Sequence, residues 1–179
     1  MLETHDDFSE LQPLTSEFGD DLDGPKLRTL LTFVLGQQIF AVDVGFVREV
    51  LDNREVRPFP GAPHEVLGMI DLRAETIPII DMASRLGLIS SSNNEDARII
   101  VFTVASDGKD VSLGIVADRV LRVCDIEKGV EEPLPDTKTG WRSSDIESLV
   151  RIEEGATMVL QIKAVLFPNA EIAGEFDFE

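Results

Sequence analysis

The sequence is poor in the residues that build metal and redox sites. Its 179 residues include one cysteine, Cys124, and two histidines, His5 and His64. A single cysteine excludes an internal disulfide and a cysteine-rich zinc site. His5 lies in an acidic segment and His64 in a proline-rich loop, so neither is placed to serve a metal centre. We therefore expect no metal ligands and no cofactor.

Basic residues and long apolar runs are also scarce. Lys and Arg number 16 against 34 Asp and Glu, which gives a formal charge of −18. Nucleic acids and anionic membrane surfaces bind through clustered Lys and Arg, so the composition argues against both as partners. The longest apolar runs, residues 30–35 and 99–104, are far too short to span a bilayer, and no signal-peptide pattern is present. These features predict a soluble cytoplasmic protein.

Motifs of catalysis are missing as well. The chain has no glycine-rich phosphate loop and no serine-centred nucleophile elbow. Cys124 falls in an apolar strand, where a thiol is usually buried and inert. We predict no catalytic residue and no small-molecule substrate. A small β-barrel enzyme or ligand-binding protein that uses an internal groove remains the alternative of another class.

The acidic charge is concentrated at the two ends. Residues 1–27 carry eight acids against one lysine, and residues 169–179 carry four acids and no base. Neither end has a sustained apolar period, so we expect both to be disordered acidic tails. Residues 28–168 are then the folded domain.

The folded domain has the pattern of β-strands. Residues 39–44 alternate with a period of two, which predicts a half-buried strand. Asp107-Gly108 supplies a tight hairpin turn. Helical turns are expected at 82–88 and 163–167. Further strands are predicted at 29–35, 46–51, 66–72, 76–82, 98–104, 111–116, 120–124, 149–152 and 156–162.

The two halves of the domain resemble each other. Residues 41–52 align without gaps on residues 114–125, which lie 73 positions further along the chain. This echo predicts two similar β-units of about 28–89 and 97–168, with the polar segment 90–96 between them. Chance similarity between β-rich segments is the alternative. Two such small units would gain by packing together, and their packing would create a groove.

Arg73 stands out because it lies at a tight turn between two apolar strands. There it is either solvated, paired with Glu75, or available as a fork-shaped contact for a partner.

Three stretches, in this order along the chain, resemble the CheW family of bacterial chemotaxis coupling proteins. The first runs from Phe33 to Val50 and the third from Gly114 to Val120. The second holds Gly68, then Asp71-Leu72-Arg73-Ala74, then an apolar strand that ends at Asp81. The resemblance covers about residues 28–168. Asp71 and Ala74 stand where the family usually has Asn and Gly, a difference that bears on the shape of the Arg73 turn.

The resemblance implies a mainly β fold of two packed SH3-like five-stranded barrels with one or two short helices. It leaves open whether the two subdomains exchange strands. It also implies a non-enzymatic adaptor that joins a CheA-type histidine kinase to the cytoplasmic tips of chemoreceptors, at the inner face of the membrane. A coupling protein of a chemotaxis-like pathway with another output is the alternative within the family.

By position, the resemblance also implies candidate contact residues. Those for the receptor are Val47, Glu49, Val50 and Arg73. Those for the kinase are Gly68 and Asp71. For the two valines, plain core packing is the competing interpretation.

Overall fold

The computed structural model describes residues 24, 26–89, 94–135 and 144–167. Disorder was predicted for residues 1–27 and 169–179; of these the structure describes only residues 24, 26 and 27, and Leu27 is the first residue of β1. The elements are β1 (Leu27–Leu35), β2 (Gln38–Asp43), β3 (Val47–Asp52), β4 (Val66–Leu72), β5 (Glu75–Ile80), α1 (Met82–Arg85), β6 (Arg98–Ser106), β7 (Lys109–Ala117), β8 (Arg119–Glu127), β9 (Ile146–Ile152), β10 (Gly155–Leu160) and α2 (Ile162–Leu166).

These strands form two five-stranded sheets. Sheet A has the order β8-β1-β2-β10-β9, and sheet B has the order β3-β6-β7-β5-β4. The prediction of a mainly β fold with two five-stranded units and short helices is confirmed. None of the helices in the described part of the chain is long and apolar enough to cross a membrane.

The sheets do not follow the two consecutive halves of the chain. The chain passes from sheet A to sheet B through a 3₁₀ turn at Val44–Phe46, and it returns at Asp118 between β7 and β8. Each half therefore gives its first hairpin to the sheet that holds the last three strands of the other half. The division at 28–89 and 97–168 differs from this arrangement, because β5 and β6, on either side of segment 90–96, belong to one sheet.

The internal echo corresponds to a structural repeat. When β1–β5 are replaced by β6–β10 in the same order, and the reverse, the strand order of sheet A becomes that of sheet B. Pairing registers repeat as well. Leu31 opposes Val42 in sheet A, and Ile100 opposes Ile115 in sheet B. Both sheets also have a bulge at the same place, at residue 67 in β4 and residue 147 in β9.

Each sheet is closed by the loop that follows its edge strand. Arg57, after β3, exchanges two backbone hydrogen bonds of 2.9 Å with Met69 of β4. Glu132, after β8, does the same with Leu149 of β9, at 2.7 and 2.8 Å. These bridges turn the sheets into two barrels and hold the turns β4–β5 and β9–β10 beside the edge strands β3 and β8.

The largest hydrophobic cluster lies between the two barrels. Leu31, Phe33 and Leu35 of β1 meet Phe102 and other side chains of β6 there. The opposite faces of these strands fill the two barrel interiors, with Leu30 in one and Ile99 in the other. Both faces of the central strands are therefore buried. The prediction that only one face of the strand at 39–44 is buried is therefore wrong. Ala41 packs inside barrel A, and Phe40 and Val42 pack between the barrels.

Candidate functional site

The side chain of Arg73 lies against β3. Its Nη2 is 3.2 Å from Oε2 of Glu49, whose side chain is 19% exposed, whereas the side chain of Arg73 is 73% exposed. The suggested pairing of Arg73 with Glu75 is wrong, since Glu75 bonds to Arg48. Glu49 thus anchors a guanidinium that stays largely open to solvent.

Arg48 forms a second ion pair with the same turn. Its Nη1 lies 2.6 Å from Oε2 of Glu75 and donates a hydrogen bond of 3.1 Å to Oγ of Ser112. The hydrogen bond to Glu75 raises the pKa of the Arg48 guanidinium. The pairing register of β3 on β6 shifts between Val47 and Glu49, and at this irregularity two consecutive side chains reach one turn. The sequence offers no signal for Arg48, because its partner is 27 residues away and strict alternation would send it to the opposite face.

The two candidate valines have different environments. Val47 is partly buried and packs against the central cluster, as the core-packing interpretation expects. Val50 is 40% exposed. The edge strand β3 therefore carries one exposed aliphatic side chain directly after the ion-paired residues Arg48 and Glu49 in the sequence.

The turn between β4 and β5 has an unusual backbone. Arg73 has φ 48° and Ala74 has φ 66°. Positive φ at both central residues is typical of a type I′ hairpin turn, where Asn and Gly are the preferred residues. Ala74 therefore occupies the left-handed region at a steric cost. The two ion pairs to β3 hold this turn in place.

The two kinase candidates lie on β4. Gly68 is buried, has φ 151°, and a Cβ built on it would lie 2.2 Å from the carbonyl oxygen of Arg57. Its role in the fold is to let the closing loop approach the strand. Asp71 is exposed and forms an ion pair with Arg57, and Oγ1 of Thr76 is 3.4 Å from its carboxylate. All six candidates thus lie in barrel B.

Residues 47–50 of β3 and residues 73–75 of the turn, joined by the ion pairs Glu49–Arg73 and Arg48–Glu75, are called the clamp of barrel B. Barrel A carries an equivalent ion pair of opposite polarity. Arg122 of β8, 73 positions after Glu49, pairs with Glu153 at 3.2 Å and with Glu154 at 2.8 Å. Glu153 follows Arg73 by 80 positions and holds the same place in its hairpin turn. The carboxylate of this pair is on the turn, and the guanidinium is on the edge strand.

A groove of about 340 Å³ lies beside α1. His64 does not line it, and the side chain of Asp81, which does, caps α1 by accepting a 2.9 Å hydrogen bond from the backbone N–H of Ser84. Cys124 is half-buried, and burial raises the pKa of its thiol. Among the described residues, no three His, Cys, Asp or Glu side chains are arranged to hold a metal ion. The lining of the groove is Leu67, Ile80, Asp81, Met82, Ala83, Ser84, Leu88, Ile89 and Val116.

Residues 29–167 match the family model described as the CheW-like domain. The chain belongs to the CheW-like family. It is 32% identical to the chemotaxis protein CheW of Treponema pallidum (strain Nichols) over 143 residues, which cover 80% of this chain and 84% of that protein. It is 31% identical to the CheW of Rhizobium meliloti (strain 1021) over 144 residues, which cover 80% of this chain and 90% of that one.

A solved structure supports the fold. The scaffolding protein TtCheW of Thermoanaerobacter tengcongensis matches with a TM-score of 0.68 at 24% identity, over 80% of this chain and 90% of that one.

Proposed function

We propose that this CheW-family protein is a non-enzymatic adaptor that holds chemoreceptor tips and a CheA-type histidine kinase together. The observation that carries the proposal is the clamp on barrel B, where Glu49 of the edge strand holds the exposed guanidinium of Arg73 at 3.2 Å and the exposed Val50 follows Glu49 along the same strand.

The receptor contact is assigned to Val47, Glu49, Val50 and Arg73. A helical receptor tip offers an apolar stripe and flanking charges. Val50 provides an aliphatic anchor, with Val47 as its packed base. Arg73 at the rim fixes the orientation of the helix, because a guanidinium makes directional bonds to carboxylates and backbone carbonyls.

The kinase contact is assigned to the neighbouring face of β4. Asp71 and Arg57 are 59% and 61% exposed and form an ion pair there. Gly68 contributes by shaping this face, because its missing side chain lets the Arg57 segment lie against β4. A partner on this face would be adjacent to a receptor on the clamp, since Asp71 is two residues from Arg73.

Coupling through such an adaptor requires differential binding. Receptor state changes kinase state only if the adaptor interacts more strongly with one combination of states than with the other. The location of the protein then follows from the receptors that it binds, at the inner face of the membrane.

The test is receptor-dependent kinase activation in a reconstituted assay. Arg73→Glu places a carboxylate beside Glu49, and we expect at least a tenfold loss of activation, equivalent to about 1.4 kcal/mol of coupling. Glu153→Arg is the matched variant on barrel A, and it should activate like the unchanged protein. Circular dichroism should show that both are folded. Full activation by Arg73→Glu would remove the clamp from the receptor site.

A further inference from the structure

We propose that the carboxy-terminal segment 168–179 of this chain docks on the clamp of barrel B and competes there with the receptor. The competition rests on the proposed function, whereas the docking does not. The inference depends on where the segment begins, how far it reaches and which charges it meets.

The segment begins beside the site. α2 ends at Leu166, and Nζ of its Lys163 lies 5.9 Å from the centre of the Phe46 ring. Phe46 directly precedes Val47 in the chain. Segment 168–179 therefore starts within a few residues of a helix that touches the amino end of the clamp.

The reach of the segment exceeds the length of β3 that it has to cover beyond Phe46. Phe176 lies nine residues after Phe167, and an extended chain spans about 3.3 Å per residue, so it can reach about 30 Å. Val50 is four residues after Phe46, at most about 14 Å along β3. A short tether of this kind also gives an effective concentration in the millimolar range.

The sequence of the segment fits the surface. Phe176 and Phe178 are separated by Asp177 and flanked by Glu175 and Glu179. In an extended chain this spacing puts both rings on one side and the carboxylates on the other. The rings match the exposed Val50.

The charges are complementary. The segment carries four acids and no base. The clamp holds Arg73, which is 73% exposed, and Lys163 is exposed nearby. Its two carboxylates, Glu49 and Glu75, are already engaged with arginines. The folded residues 28–168 carry 22 acids against 15 bases, so an acidic segment is favoured only where bases such as Arg73 and Lys163 are exposed.

The experiment compares the full-length chain with its Phe176→Ser/Phe178→Ser variant by methyl NMR without receptor. We expect the Val47 and Val50 methyl signals to shift. Apparent receptor-fragment affinity should rise about two- to fivefold, as it would if half to four-fifths of the sites were occupied by the segment. Phe8→Ser/Phe18→Ser is the matched control on the amino-terminal segment, and it should change neither result.

The two readouts separate the docking from the proposed function. Unshifted Val47 and Val50 signals would overturn the docking, even if receptor binding still depended on Arg73. Shifted signals with no receptor binding by any variant would support the docking and overturn the receptor site. If only the Phe8→Ser/Phe18→Ser control had an effect, the amino-terminal segment would be the one that occupies the clamp, and the proposal would be overturned.

Discussion

The two barrels share one frame and differ in what they present on it. In barrel B the edge strand carries the carboxylate of Glu49 and the turn carries Arg73, whereas in barrel A the strand carries Arg122 and the turn carries Glu153. Strand order, bulges and closing bridges are the same in both. The comparison teaches that the repeat fixes positions while the surface residues at those positions differ, so the proposed binding site is specific to one barrel.

The turns also differ in backbone. Barrel B places positive φ on Arg73 and Ala74, whereas barrel A places it on Gly155, with φ 129°. Barrel B thus accepts strain at the turn that carries its exposed guanidinium. Strained residues are often found at functional positions, where the surrounding structure holds them.

The largest expected effect is the loss of stability when Gly68, beside the bulge of β4, is replaced. Gly68→Ala drives a Cβ to 2.2 Å from the Arg57 carbonyl oxygen, so we expect a loss of about 3 kcal/mol or more in the free energy of unfolding. Gly155→Ala in barrel A meets no atom within 4 Å and should cost about 1 kcal/mol from its backbone alone. Urea denaturation measures both. Equal losses would show that the close approach of the Arg57 segment is unimportant.

The next prediction concerns a variant in which the acidic and basic partners of the barrel B ion pair are exchanged, as they are in barrel A. The double variant Glu49→Arg/Arg73→Glu rebuilds the ion pair in the order found at Arg122 and Glu153. Because the turn end of this pair is exposed and the exchange keeps one charge of each sign, stability should stay within about 1 kcal/mol of the unchanged protein. Receptor-dependent kinase activation should remain at least tenfold reduced, since the guanidinium no longer lies on the turn. Recovered activation would mean that the pair acts only by holding the turn.

The smallest expected effect concerns Ala74. Glycine accepts its φ of 66° without the steric cost of a Cβ, so Ala74→Gly should stabilise the fold by about 1 kcal/mol. Ala105→Gly on β6 is the control, and it should destabilise by a similar amount because strand glycines lose more entropy on folding. Thermal unfolding of the two variants should shift in opposite directions. A destabilising Ala74→Gly would contradict the strain at this turn.

Local sequence patterns predicted most of the strands and the hairpin turn at Asp107-Gly108, because period-two alternation and turn chemistry are local properties. The positive φ of Asp107 agrees with that turn. The exchange of hairpins between the sheets was only left open. Two strands of equal apolar character, such as β1 and β6, have no local sequence feature that predicts which sheet they join.

The candidate site was only partly visible in the sequence. The resemblance drew attention to Glu49 and Arg73, but their pairing depends on barrel closure, which brings together residues 24 positions apart. Arg48 and Arg57 were missed for the same reason. Gly68 was considered as a contact, and the structure shows why its backbone position needs glycine.

The most direct test of the account is to map a receptor-tip fragment onto the protein by methyl NMR. The fragment should shift and broaden the Val47 and Val50 signals of barrel B and leave their equivalents Val120 and Val123 of barrel A unchanged. Perturbation of Val120 and Val123 alone, or of both pairs equally, would contradict the proposal that the receptor site lies on barrel B.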